Sequence, residues 1–209
     1  MRGSMGEITV ESMSQNYLDV LKELGNIGAG NATTALATML QTKVDMSVPQ
    51  VRLLKFPEVG AILGGEEQIV AGVYLAISGD ITGSIMFLVK EEVAVHLINK
   101  LMGSETARDL QGELERSALK EVSNIIVGAY LNALSGMTNL RITPSIPDLC
   151  IDMAGAILSV PAIEFGELGD EMLLIQTQFY DEMTIDGFFI MVPDMDSYQK
   201  ILSSLGLLG

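Results

Sequence analysis

The stretch Asp19-Val-Leu-Lys-Glu-Leu-Gly-Asn-Ile-Gly-Ala-Gly30 returns in altered form as Ser117-Ala-Leu-Lys-Glu-Val-Ser-Asn-Ile-Ile-Val-Gly128. A proline follows each stretch, Pro49 after the first and Pro147 after the second, and every matched position is offset by 98 residues. The shared spacing is [DS]-x3-E-x2-N-x22-P. A fixed offset of this kind indicates an internal repeat. We therefore expect one domain built from two related units, residues 14–103 and 112–207.

Both halves contain the same order of predicted elements: a long helix, three strands and a closing helix. Because the links between the strands are short, we expect mostly antiparallel pairing. The predicted fold class is α/β in its loose, α+β sense, with two α-β-β-β-α units related by a pseudo-two-fold axis and sharing one core. Hydrophobic periodicity and turn residues predict helices over 14–41, 90–102, 111–135 and 195–205, and strands over 43–56, 69–77, 82–89, 139–151, 171–180 and 184–192.

The two halves differ at one place. A glycine-led apolar strand begins at Gly83 and again at Gly187, so the offset has grown from 98 to 104 residues. The second half is therefore expected to hold about six additional residues around Ala154–Gly166, with no counterpart in the first half. This insert is apolar and is predicted to form a short helix.

The charge balance excludes several classes of partner. The chain has 209 residues, with 27 acidic and 12 basic side chains and a net charge of −15. Nucleic acids and anionic membranes are bound through basic surfaces, so we expect neither. No run reaches the roughly 18 apolar residues of a membrane span, and no signal peptide is recognised. We expect a cytoplasmic protein without membrane insertion, and we interpret residues 1–4, Met-Arg-Gly-Ser, as a cloning leader.

The chain contains one histidine, His96, and one cysteine, Cys150. A histidine-based metal site, a Ser-His-Asp triad, an intramolecular disulfide and a cysteine-rich zinc site are therefore not expected. Cys150 lies in an apolar predicted strand, where a free cysteine behaves as a small buried hydrophobe.

The repeated residues share one face of each long helix. At about 100° per residue, Glu23, Asn26 and Gly30 all lie within about 40° of Asp19 around the helix axis. The same spacing holds for Ser117, Glu121, Asn124 and Gly128. The apolar residues, among them Leu24 and Ile126, lie on another side. Each helix is thus predicted to bury one side and to present an acid, an amide and a glycine on the other.

A glutamate and an asparagine support limited chemistry by themselves, and neither is a nucleophile here. A carboxamide offers one acceptor and two donors, so it can hold a water molecule in a fixed orientation. A carboxylate can bind a cation or pair with a lysine of a partner. Together they could complete an active site whose metal and leaving group belong to another molecule. Orienting a water for in-line attack is the role of a glutamine in small GTPases. An ordinary solvent-facing helix surface is the alternative for either copy taken alone.

The double motif, with its Lys22-Glu-Leu-Gly-Asn-Ile-Gly-Ala-Gly-Asn-Ala-Thr33 stretch, resembles the CheC/CheX/FliY family of chemotaxis phosphatases. The resemblance implies that the substrate is the response regulator CheY carrying a phosphorylated aspartate. It implies that Asn26 and Asn124 align the attacking water and that Glu23 and Glu121 pair with the regulator's active-site lysine. It also implies that Mg²⁺ is supplied by the bound phospho-CheY, so that this chain holds no metal or cofactor.

Two intact motifs are similar to the CheC branch of that family. This similarity implies a second partner, the receptor deamidase CheD, with Asp152 and the helix after it as the candidate contact. Two alternatives stay open: a non-catalytic module that binds CheY-phosphate or CheD, and a CheC-like domain of a flagellar-switch phosphatase. The motif positions expected to support the two sites are Asp19, Gly30, Pro49, Ser117, Gly128 and Pro147.

Overall fold

The computed structural model describes residues 15–103, 109–165, 171–180 and 184–207, and the leader expected at residues 1–4 lies outside them. The described residues form helices on both faces of an eight-stranded sheet. In chain order the elements are α1 Gln15–Leu40, β1 Asp45–Met46, β2 Gln50–Lys55, α2 Phe56–Leu63, β3 Ile69–Gly79, β4 Gly83–Lys90, α3 Glu91–Met102, α4 Glu113–Thr138, β5 Ile142–Pro144, β6 Asp148–Met153, α5 Ala154–Phe165, β7 Glu171–Tyr180, β8 Thr184–Pro193 and α6 Met195–Ser204.

The two halves build the sheet by exchanging strands. The strand order is β1-β7-β8-β4-β3-β5, with β2 also paired to β7 and β6 also paired to β3. The short strands of the first half therefore extend the second half's strand β7, and those of the second half extend β3. Every pairing is antiparallel, as the short links predicted. Each half therefore supplies strands that pair with a strand of the other half.

The pairing of β4 with β8 contains the pseudo-two-fold axis. Met86 of β4 lies directly opposite Ile190 of β8. These two residues are separated by 104 positions, the offset that relates the two strands in sequence. A residue that pairs with its own repeat equivalent lies on the symmetry axis. The predicted pseudo-symmetry is therefore confirmed, and its axis passes through the centre of the sheet.

The sheet separates the buried apolar residues into two clusters, where the sequence suggested one shared core. Phe87 and Phe189 point to the face covered by α1, α3, α4 and α6. Their neighbours Met86 and Phe188 point to the face covered by α2 and α5. The cause is the alternation of side chains along each strand, which gives a fully buried strand two apolar faces.

Helix α2 corrects the expectation that the apolar segment after Asp152 has no counterpart. Helix α5 starts 98 residues after the start of α2, so the two helices are repeat equivalents. The first turn of α2 contains a proline and an acidic residue, both common at helix starts. Gly64 ends the helix with a φ of 111°. Helix α5 has 12 residues and α2 has 8, so part of the increased offset is a longer helix.

Each predicted first strand is divided in two by the motif proline. Residues 43–56 contain β1, a three-residue break that includes Pro49 and then β2, and residues 139–151 contain β5, an equivalent break that includes Pro147 and most of β6; we call each break a bend. Proline has no N–H to donate to the strand ladder, so pairing is interrupted there. Each unit therefore has one more strand than predicted, and the first unit also has one more helix, α2.

Two further expectations have clear outcomes. Helix α3 ends at Gly103, which has a φ of 61° in the left-handed region, as the sequence predicted. Cys150, expected to be buried, is exposed. Its neighbours Leu149 and Ile151 pack into the core, and because side chains alternate, Cys150 points to the other face of a strand that lies at the edge of the sheet.

Candidate functional site

Helix α1 places the first motif at the protein surface. Asp19 and Glu23 are exposed and Asn26 is half-buried, whereas Leu24 on the other side of the helix is only 3% exposed. The buried side packs against the sheet and against α4. The amphipathic pattern of α1 therefore determines which residues remain available to solvent.

Helix α4 repeats this arrangement with the second motif. Ser117 and Glu121 are exposed and Asn124 is half-buried, while Leu119, Val122 and Ile126 are fully buried. The structure therefore gives the two motifs equivalent orientations. We call the two solvent-facing sets stripe 1 (Asp19, Glu23, Asn26 and Gly30) and stripe 2 (Ser117, Glu121, Asn124 and Gly128).

The glycines of the motif helices divide into open and packed positions. A Cβ added at Gly30 or at Gly128 would meet no atom within 4 Å. A Cβ at Gly25 would lie 3.2 Å from the Cβ of Pro49, and one at Gly28 would lie 2.6 Å from Cδ1 of Tyr130. The glycines within the stripes therefore face open space, whereas the other two allow close packing inside the fold.

The glutamates and asparagines of the two stripes are not held by hydrogen bonds within the described part of the chain. Among the described side chains, no hydrogen bond joins the carboxylates of Glu23 and Glu121 or the carboxamides of Asn26 and Asn124 to another residue. Asp19 is different, because Lys22 Nζ donates to its Oδ1 at 3.3 Å. At stripe 2 the equivalent of Asp19 is Ser117, so this exposed ion pair is specific to stripe 1.

Each motif proline lies in the bend that runs beside its own helix. Pro49 is buried against Gly25 of α1, between β1 and β2, both of which contact α1. Pro147 is half-buried between β5 and β6, both of which contact α4. The prolines therefore lie in a short segment between two strands, next to each stripe without being part of it.

Several other positions near the motif also recur at the 98-residue offset. Three of these pairs were not predicted as site residues but adjoin the site: Lys22 with Lys120, Ile27 with Ile125, and the similar pair Val48 with Ile146. The first two pairs flank the motif glutamates and asparagines, and the third precedes the motif prolines. A residue-by-residue comparison of the two repeats around the motif is the signal that identifies them.

Asp152 belongs to a different surface from the two stripes. It is exposed, it pairs across the sheet with Val70, and its Oδ1 accepts the N–H of Met153 at 2.7 Å. It lines a groove of about 310 Å³ with Cys150 and Val160, on the side of the sheet that α5 covers. The structure therefore brings Asp152 together with α5, as expected, and separates it from the motif helices.

No cluster of three or more His, Cys, Asp or Glu side chains suited to a metal ion occurs within the described ranges. The same part of the chain contains no helix long and apolar enough to cross a membrane.

The sequence and the fold are both similar to those of known proteins. Residues 17–52 match the model of the CheC-like family, and residues 71–162 match that of the chemotaxis phosphatase CheX. The chain is 36% identical over 200 residues to the CheY-P phosphatase CheC of Bacillus subtilis (strain 168), with 93% of this chain and 96% of that protein covered.

Two similarities extend to flagellar switch proteins. The flagellar motor switch phosphatase FliY of Bacillus subtilis (strain 168) is 27% identical over 140 residues, which cover 66% of this chain and 36% of that protein. The X-ray crystal structure of Thermotoga maritima FliY has a TM-score of 0.74 at 19% identity, with 93% of this chain and 98% of that chain covered. At that identity the structural similarity concerns the fold alone.

Proposed function

The chain belongs to the CheC-like family, and from this membership we propose that it is a chemotaxis phosphatase that hydrolyses the aspartyl phosphate of CheY. The observation that carries the proposal is the pair of solvent-facing stripes, each with a glutamate, a half-buried asparagine and an open glycine at the same register of a long helix. A protein that visits the surface can reach both sets of side chains. Each stripe constitutes one active site.

In the proposed mechanism, Asn26 and Asn124 supply the group that orients water. A carboxamide can accept a hydrogen bond from a water molecule and donate another to an oxygen of the phosphoryl group. That geometry holds the water in line with the phosphorus–oxygen bond that breaks. Phosphoryl transfer depends chiefly on positioning and on charge stabilisation, so one well-placed amide is a sufficient contribution from this chain.

Glu23 and Glu121 are proposed to fix the regulator in place. An exposed carboxylate on a helix can pair with a lysine of the docked protein, and a charge-assisted hydrogen bond gives that contact direction as well as strength. The Mg²⁺ is proposed to stay with the carboxylates of the regulator, so this chain contributes orientation and contributes no metal ligand.

A module that only binds CheY-phosphate is the alternative from another functional class. The two functions differ in stoichiometry, because an enzyme clears many equivalents of phosphorylated regulator and a binding module stops after one or two. The test is phosphate release from a hundredfold excess of phosphorylated CheY, with regulator alone as the control for self-hydrolysis. We expect multiple turnover, and a burst of one or two equivalents without further acceleration would contradict the proposal.

We also propose that CheD binds the surface formed by Asp152 and α5. What supports this is the exposed apolar character of α5 and its surroundings, where Val160 is 45% exposed, Ile163 is 81% exposed and Met153 is 44% exposed. Apolar side chains grouped beside a groove are typical of a protein-binding surface. The repeat-equivalent helix α2 is shorter, so this surface distinguishes the second half from the first.

The CheD surface can be tested separately from catalysis. Replacing both Val160 and Ile163 by serine is expected to abolish CheD binding in titration calorimetry and to leave phosphate release from CheY unchanged. Ala61→Ser, at an exposed position of α2, is the matched control and should preserve binding. Unchanged CheD affinity in the double variant would contradict this assignment.

A further inference from the structure

Two strongly exposed aliphatic residues lie at repeat-equivalent positions. Val48 is 70% exposed and Ile146 is 87% exposed, and each immediately precedes a motif proline. Single apolar residues on a protein surface are common and need no explanation. An exposed large aliphatic residue at the same position of both repeats is a property of the repeated site, as the glutamate and asparagine are.

The location of Val48 is fixed by its neighbour Pro49, whose Cβ would lie 3.2 Å from a Cβ at Gly25. Around the helix axis, Gly25 is about 100° from Asn26, on the side where Lys22 also lies. The bend that carries Val48 therefore runs along one edge of stripe 1. The bend that carries Ile146 lies between β5 and β6, and both strands contact α4, so it has the equivalent place beside stripe 2.

The opposite edge of each stripe also carries an aliphatic residue. Ile27 is 37% exposed and Ile125 is half-buried, and each directly follows the motif asparagine. At about 100° per residue, Ile27 lies roughly 40° beyond Glu23, on the side away from Gly25. Each polar stripe therefore lies between two apolar side chains, one from the helix and one from the bend.

We propose that Val48 with Ile27, and Ile146 with Ile125, are the docking contacts that hold phosphorylated CheY over the two stripes; this inference rests on the proposed function. The occupant is the same at both sites because the apolar residues are repeated together with the catalytic pair. The apolar surface of α5, in contrast, lies on the other face of the sheet from both motif helices and is the surface proposed above for another partner. Burial of these exposed aliphatic side chains against the regulator supplies binding energy without contacting the reacting atoms.

This arrangement also defines the class of substrate. An acyl phosphate on a small molecule needs only the glutamate and the asparagine, whereas the surface of a folded protein can also bury the exposed aliphatic residues beside them. The acidic stripe with an aliphatic border favours a regulator that presents a lysine surrounded by apolar side chains near its phosphorylated aspartate. The docking contacts should therefore act on substrate affinity and should have little effect on the chemical step.

The experiment compares the double variant Val48→Thr/Ile146→Thr with the unaltered chain in steady-state phosphate release from phosphorylated CheY. Threonine retains the β-branched shape, so the bends should keep their conformation, and thermal unfolding verifies this. We expect KM to rise about tenfold and kcat to change less than twofold. Ile69→Thr, the same change at an exposed position of β3 that belongs to neither proposed surface, is the matched control and should leave KM unchanged.

Two outcomes would overturn the docking proposal: an unchanged KM in the double variant, or an equal rise in KM in Ile69→Thr. Failure of the proposed function is distinguishable, because it shows as absence of turnover in the unaltered chain. In that case titration calorimetry with CheY bearing a stable phosphoryl mimic measures the docking affinity directly. A tenfold loss of affinity in the double variant would then support the docking contacts, and equal or absent binding in both proteins would overturn them.

Discussion

The ring of Tyr130 lies against the backbone of Gly28, so that a Cβ at Gly28 would be 2.6 Å from Cδ1 of the ring. This contact joins α4 to α1, the two helices that carry the motifs. The ring cannot move away easily, because its hydroxyl is hydrogen-bonded to Thr177 and its face packs on Phe189 at a centroid distance of 4.0 Å. The relative position of the two stripes therefore depends on a side chain being absent at Gly28.

The first prediction concerns this contact. Gly28→Ala should lower the free energy of unfolding by about 1–3 kcal/mol, because the added methyl group overpacks a site whose neighbours are fixed. Alanine is the better helix former, so propensity alone predicts the opposite sign. Urea unfolding measures the change. Gly30→Ala on the same helix is the control, and a Gly28→Ala protein as stable as that control would contradict the packing argument.

The second prediction concerns the open glycines of the stripes. Gly30→Ala and Gly128→Ala should each raise the free energy of unfolding by up to about 1 kcal/mol, since the methyl group meets nothing and alanine favours the helix. If the regulator presses onto the stripe, both changes should also raise KM for phosphorylated CheY. Paired stability and KM measurements on each variant check this. Greater stability with an unchanged KM would show that these glycines do not provide access.

The third prediction concerns the N-terminus of α6. Asp194 Oδ1 accepts the backbone N–H of Ser197 at 2.8 Å, and the hydroxyl of Thr82 donates to its other oxygen. The hydrogen bond from Thr82, followed by that from Ser197, holds the pKa of Asp194 below its usual value. Asp194→Ala should therefore lower the free energy of unfolding by about 1 kcal/mol near neutral pH, the typical effect of removing a helix N-cap.

The pH dependence of that loss follows from the direction of the shift. A carboxylate with a lowered folded-state pKa stabilises the protein above its unfolded pKa of about 4, and this contribution disappears as the pH falls through the folded pKa. The difference in unfolding free energy between the unaltered chain and Asp194→Ala should shrink in acid. Asp194→Asn is the control, because it retains an acceptor for Ser197 without titrating. A difference that stays constant from neutral pH to about pH 2 would be inconsistent with the ionised cap.

The parts of the fold that the sequence predicted are those set by local spacing. The long helices, the exposed orientation of Glu23 and Glu121, and the helix end at Gly103 all follow from residues within a few positions of one another. The central pairing of Met86 with Ile190 was not predicted, because the sequence repeat does not indicate which strands meet at the two-fold axis.

The features that were not predicted are of two kinds. Some depend on contacts between residues distant in sequence, and others are marked by a local signal, such as a proline, that the prediction did not use. The exchange of β2 and β6 between the halves needs knowledge of which strand edges meet, and the sequence pattern is the same for either pairing. Helix α2 was missed because its apolar run follows a strand without a polar break, although Pro57 marks the first turn of a helix. Cys150 was placed inside because β6 was not recognised as an edge strand.

Phosphate release from phosphorylated CheY by Asn26→Ala, Asn124→Ala and the double variant tests the central claim most directly. Each single variant should retain partial activity through the other stripe, because the two sites carry complete and separate sets of groups. The rate of phosphate release by the double variant should be lower by a factor of about 10²–10³, the usual cost of losing one preorganised transition-state contact. It should approach the self-hydrolysis rate of the regulator. A double variant that releases phosphate at the rate of the unaltered chain would contradict the assignment of both sites.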